Sequence, residues 1–206
     1  MWGSDFRDPS VGDSDGGDLN STGGSDVPQL YFFQGHGTCE NTSSATPNDF
    51  IVVCGNFGKP DTTRIGTQVR WGSLGGGHLQ FAFLDASCPM ELPGLSNSWF
   101  PVFQGLHLAT GFSGDASHDA YNSSDRPDQF GALTAGPPPG FPFNQLSVGD
   151  AWMTAGLTDI QSGCSAVVIA AGVDRADAID RRDNERVTDN RSDPQPNWFA
   201  WRWITA

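Results

Sequence analysis

The segment Leu30-Tyr31-Phe32-Phe33-Gln34-Gly35-His36-Gly37, LYFFQGHG, decides how the chain is read. Its apolar residues are strand formers, and a run without alternation suits a strand covered on both faces. The run then stops in a histidine held between two glycines. A second run, His78 to Cys88 (HLQFAFLDASC), stops in a comparable way, in Asp85-Ala86-Ser87-Cys88. In parallel α/β sheets, ligands bind at the carboxyl ends of the strands. Two neighbouring strands with these endings bring an imidazole and a thiol to one edge, as nucleophilic cysteine catalysis requires. Gly37 lets backbone approach a substrate closely, and its N–H, with that of Cys88, can face a developing oxyanion.

Composition narrows the class. A chain of 206 residues is expected to form one domain. Its 26 glycines and 14 prolines point to a loop-rich α/β or β protein, and 7 tryptophans with 14 phenylalanines supply a core. The balance of 24 acidic against 11 basic residues, net −13, argues against nucleic acid or an anionic membrane as partner. The longest apolar run, AVVIAAGV, is too short to span a bilayer, and MWGSDFRDPS carries no leader pattern. A cytoplasmic protein is expected, with secretion left open. The four cysteines, at 39, 54, 88 and 164, show no CxxC or zinc spacing, so free thiols are expected over disulfides.

Along the chain, residues 1–28 form a Gly/Asp-rich N-terminal segment that cannot bury a regular face, and residues 29–206 form the α/β domain. Strands are expected at Leu30–Phe33, Phe50–Cys54, His78–Leu84, Leu106–Phe112 and Ser165–Ala171. Helices are expected in NSWFPVFQG, in LSVGDAWMTAG, where Ser147 and Asp150 have capping-box spacing, and in VDRADAIDRRDNERV, with its i,i+4 Asp/Arg pairs. The segment TAGPPPGFPFNQ reads as loop, and the Trp-rich tail NWFAWRWITA is expected to pack back onto the body. Alternating strands and helices imply a small three-layer α/β fold with a mostly parallel sheet and Gly/Pro-rich loops.

A hydrophobic strand ending in His36-Gly37, followed 52 positions later by a second ending at Cys88, resembles the caspase-like cysteine peptidases. That group includes gingipains, clostripain, legumains, metacaspases and caspases. The chain is similar above all to uncharacterised bacterial caspase-like proteins. The likeness covers roughly residues 29–172 and extends to GLHLATGFSG and to the helix opening SVGDAW. It implies a peptidase-like hydrolase that works through an acyl-enzyme. Cys88 would be the nucleophile, His36 the acid or base, and the N–H groups of Gly37 and Cys88 the oxyanion hole. The same scaffold could instead serve as a cyclase or acyl transferase in bacterial natural-product biosynthesis, or as a catalytically silent binding module. The implied partner is a peptide or small-molecule carbonyl substrate.

Other residues are candidates through their place near the Cys block. Asp85, Trp99, Asp115, His118 and Asp119 could line a substrate pocket, Trp99 as its roof. His107 reads as a satisfied core histidine. No cofactor is implied, apart from calcium-like spacing at Asp13, Asp15 and Asp18, which lacks the distal Glu of an EF-hand loop.

Overall fold

The computed structural model describes residues 3–11, 16–21, 24–38, 50–53, 61–116, 125–136, 145–158 and 163–206. The LYFFQ run forms strand β1 (Leu30–Gln34). Beyond Gly35 the chain leaves that sheet for a separate antiparallel one, ordered β2 (His36–Thr38), β3 (Phe50–Val53) and β4 (Asp61–Arg64). A single helical turn, α1 (Ile65–Gln68), and a loop lead to β5 (Phe81–Asp85), which lies parallel to β1. Then come α2 (Leu95–Trp99) and β6 (Leu108–Ser113), parallel to β5.

Helices α3 (Asp125–Ala135) and α4 (Val148–Gly156) precede β7 (Ser165–Gly172), and α5 (Arg175–Asn184) precedes β8 (Trp198–Thr205). The main sheet is ordered β1-β5-β6-β7-β8, a parallel core of three strands extended by two antiparallel ones.

Alternation along the strands assigns the two faces. Ala82 and Leu84 of β5 join a core with Phe6, Tyr31, Phe33, Trp71 and Trp99, on the side of α1 and α2. Phe81 and Phe83 join the other, with Phe112, Phe130 and Trp152, on the side of α3 and α4. Helix α5 is tied to that same side, because Arg202 of β8 reaches Asp150 of α4 and Asp183 of α5. The result is the expected three-layer α/β arrangement. Ser147 caps α4 as its spacing suggests, accepting from Asp150 N, and Asp174 caps α5 by accepting from Asp177 N.

Three expectations are corrected. Phe50–Val53 is a strand of the small antiparallel sheet and not of the main one. Ser165–Gly172 is buried along its whole length as expected but runs antiparallel to β6. A continuous apolar run reports cover on both faces, and direction is not encoded in it. The N-terminal segment also does more than loop over the surface. Phe6 is fully buried and packs edge-on against Tyr31 and Phe33, while Trp71 Nε1 donates to Ser25 Oγ at 3.0 Å.

Candidate active site

The parallel register of β1 and β5 sets Gln34 opposite Asp85, and Gly35 N donates to Asp85 O at 3.1 Å. Both chains therefore reach the carboxyl edge of the sheet together. One continues into His36 and Gly37, and the other into Ala86, Ser87 and Cys88. They touch there: a Cβ on Gly37 would lie 1.8 Å from Ser87 O, so only glycine permits this approach. The sheet thus brings the His-Gly ending and the Cys ending side by side. His36 is exposed and Cys88 is fully buried.

The Cys88 loop is firmly held. Cys88 adopts φ 61°, a left-handed conformation that a non-glycine residue enters at a cost of about 1–3 kcal/mol and keeps only when its surroundings impose it. Cys88 N donates to Gly114 O at 3.0 Å and Met90 N to Phe112 O at 3.0 Å, fastening the loop to the end of β6. Trp99 Nε1 donates to Pro89 O at 2.7 Å. Ser87 Oγ donates to Asp115 Oδ1 at 2.8 Å, and Glu91 Oε1 accepts from Gly114 N at 2.9 Å.

Cys88 is disulfide-bonded, and its partner lies outside the described residues. This corrects the expectation of free thiols, which holds for Cys164 alone among the described cysteines. A disulfide sulfur has no thiolate to offer, so Cys88 is not a nucleophile in this state. Its N–H is also committed to Gly114 O, so the oxyanion hole expected from Gly37 and Cys88 lacks one donor here. Cys164, beside the start of β7, is buried, and burial pushes its thiol up to about 11 despite the opposing charge of Arg126.

The other candidates fall in different places. Asp85 is fully buried at the end of β5, where Arg126 Nη1 lies 2.6 Å from Oδ1 and Gln34 Nε2 donates to Oδ2 at 3.2 Å. Trp99 is fully buried among Trp71 and Phe103 and supports Pro89 from the core, so it does not roof a cleft. Asp115 is exposed beside Ser87. His118 and Asp119 lie outside the described residues, as do Asp13 and Asp15.

Asp18 is buried, and no cluster of three His, Cys, Asp or Glu fit to hold a metal occurs among the described residues. No described helix is long and apolar enough to cross a membrane.

His107 stands at the opposite edge of the sheet, just before β6. Its Nδ1 lies 2.6 Å from Glu185 Oε1 and its Nε2 2.9 Å from Asp193 Oδ1, so its buried ring is satisfied by carboxylates on both sides. Arg126, the counter-ion of Asp85, is the neighbour that sequence reading misses. It lies on α3, inside a stretch whose Gly and Pro content reads as loop. Its signal is Asp125-Arg126-Pro127, since proline is tolerated in a first helical turn.

A family model described as a domain of unknown function (DUF6345) matches the chain over residues 1–204. No curated protein and no solved structure gives a significant match.

Proposed function

The chain belongs to the DUF6345 family, and we propose that it is a caspase-like thiol hydrolase held latent by the Cys88 disulfide. One observation carries the proposal: β1 and β5 run parallel in a register that delivers His36-Gly37 and Ser87-Cys88 to one edge, in backbone contact. In a sheet of this kind that edge is where ligands bind. The left-handed backbone at Cys88 adds support, because strained residues gather at active sites.

Activation is thiol–disulfide exchange with a dithiol reductant. The dithiol is oxidised to its disulfide, and the Cys88 bond is reduced to two thiols. Freed from its partner, the Cys88 loop can move and its N–H can leave Gly114 O. His36 then takes the Cys88 proton, and the thiolate attacks a substrate carbonyl. The leaving amine or alcohol departs with that proton, and water resolves the thioester, returning the thiol. An oxidising compartment preserves the latch and a reducing one opens it. Asp115 is an exposed carboxylate held by Ser87, the residue just before the nucleophile, and it is the group placed to meet a polar part of the substrate.

The disulfide also favours a second reading, a binding module in which Cys88 is a structural staple. Turnover of a positional peptide and ester library separates the two. A latent hydrolase is expected to turn over only after dithiol treatment, with Cys88→Ala and His36→Ala each losing about 100-fold or more, the usual scale for a nucleophile or general base. A binding module would show no turnover in either redox state. Reduction would then only destabilise it, by about 2–4 kcal/mol in a denaturant titration.

A further inference from the structure

Among the described residues, strand β8 is the last strand of the main sheet, paired on one side only. Its eight residues, Trp198 to Thr205, hold four of the exposed large apolar side chains: Trp198 at 48%, Trp201 at 40%, Trp203 at 53% and Ile204 at 38%. A long, flat, apolar edge strand invites another strand, and proteins normally blunt such an edge with Pro, Lys or inward charges. This strand has neither Pro nor Lys. Its one charge, Arg202, is tied within the chain to Asp150 and Asp183. In a chain of net charge −13, β8 carries no acidic residue, so two copies can meet here without a like-charge clash.

The hydrogen-bond parity of β8 fixes which backbone groups point away from β7. Ala206 N donates to Cys164 O, one step beyond the Thr205–Ser165 register pair. Even-numbered residues of β8 therefore hold the β7 ladder, and the odd-numbered ones direct N–H and C=O outward. Trp201 O agrees, because it accepts from the exposed Arg182 Nη1 at 3.3 Å outside the sheet, a bond that pairing exchanges for one from Trp201 N of the second copy.

We propose that β8 pairs antiparallel with β8 of a second copy of this chain, about a two-fold axis at Trp201, joining two sheets into one. An isologous antiparallel pair must set an outward residue opposite an outward residue. With the axis at Trp201, Trp201 faces its own counterpart, Phe199 faces Trp203, Trp198 faces Ile204 and Ala200 faces Arg202. Every exposed apolar side chain of the strand gains an apolar neighbour, of the aromatic–aromatic or aromatic–β-branched kind that stabilises sheets. Sliding one copy by two residues sets Arg202 against Arg202, or leaves Ile204 opposite Pro196. At these exposures the four side chains offer roughly 400 Å² per chain, given that an aromatic buries about 150–250 Å² in full. With the backbone edge added, full cover of this surface on both copies amounts to on the order of 1,000 Å² in total, the size at which specific association begins.

Sedimentation velocity of the full chain at tens of micromolar, together with cross-linking of cysteine variants on a non-reducing gel, tests the pairing. A hydrogen-bonded antiparallel pair sets its Cα atoms about 5.5 Å apart, within disulfide reach. The expected results are the mass of two chains and rapid dimer cross-linking of Trp201→Cys. Trp203→Cys, four residues out of register with itself, should stay uncross-linked. Trp201→Glu should sediment as a monomer with its circular dichroism unchanged. A wild-type chain that stays monomeric up to about 100 µM overturns the proposal. So does a dimer in which Trp203→Cys cross-links and Trp201→Cys does not.

Discussion

Arg126→Leu is expected to cost about 3–5 kcal/mol of folding stability, read as the shift of the denaturant midpoint at constant slope. Arg126 and Asp85 are both almost wholly buried, and their charged atoms lie 2.6 Å apart. Removing the guanidinium leaves a carboxylate inside the protein without its counter-charge, while Gln34 Nε2 still donates to its other oxygen. A buried charge stripped of its counter-ion is among the costliest single defects. Arg126 also stands over the Phe112 ring, with Cζ 4.7 Å from its centroid, and its guanidinium donates to Thr158 O, so α3 loses a packing and a hydrogen-bonding anchor as well.

The double variant Asp85→Leu/Arg126→Leu distinguishes charge from packing. It should recover a good part of the loss, because an apolar pair of similar volume can replace a buried ion pair. A single-variant shift under about 1 kcal/mol would show that the two charges are not held together in a dry interior. The position gives the pair more than structural interest. Asp85 closes β5 three residues before Cys88, so this ion pair fixes the strand end from which the Cys88 loop springs.

The second large effect is on the pH dependence of stability. Asp18 and Asp26 are almost wholly buried in the N-terminal segment, and burial, with nearby carboxylates, raises each from 3.8 to about 7. Asp8 and Asp26 act on Asp18, and Asp8 acts on Asp26. Hydrogen bonds from Gly72 N and Leu79 N pull Asp26 the other way without prevailing. Arg70 lies close enough for Asp8 to act on it.

Both carboxyls hold their protons more tightly folded than unfolded. Their contribution is therefore complete below the unfolded value and is lost as pH rises through about 7. From pH 5 to pH 8 the loss should be about 2–5 kcal/mol for the two together, since a tenfold change in proton affinity corresponds to about 1.4 kcal/mol. Denaturant titrations at the two pH values measure it, and Asp18→Asn should flatten the profile by about half. A protein equally stable at both pH values would show that these carboxylates ionise freely in the fold. The segment they occupy clasps the loop around Gly72 and Leu79, so loosening is expected to begin there.

Much of this architecture is legible in the residues themselves. The apolar runs at Leu30, Phe81, Leu108 and Ser165 become four of the five strands of the main sheet, and Ser147 caps a helix where its side chain suggests. What the sequence hides has physical causes. Strand direction is not written in an apolar run, because burial on both faces can come from either pairing, and β7 is the example. The tail WFAWRWIT alternates between the two faces of an edge strand, yet its abundance of tryptophan looks like packing on the body. Helix α3 is obscured by Pro127 and the surrounding glycines, and with it Arg126, the counter-ion that turns Asp85 from a pocket candidate into a buried pair.

The site is legible as a place and misread as a state. The two runs that end near His36 and Cys88 are read as neighbours, and they are, because the ends of adjacent parallel strands must meet. The redox state of Cys88 depends on a partner cysteine that no spacing rule identifies.

Selective alkylation tests the latent nucleophile most directly. The chain is treated with iodoacetamide at neutral pH before and after a dithiol reductant, and labelling of each cysteine is followed by peptide mapping in wild type and in His36→Ala. A latched Cys88 should take no label before reduction. After reduction it should label fast, and at least 10-fold more slowly in His36→Ala, while Cys164, buried with a thiol pushed up to about 11, stays slow throughout. A reduced Cys88 that labels no faster than an ordinary exposed thiol, at the same rate with and without His36, would rule out the His36/Cys88 dyad.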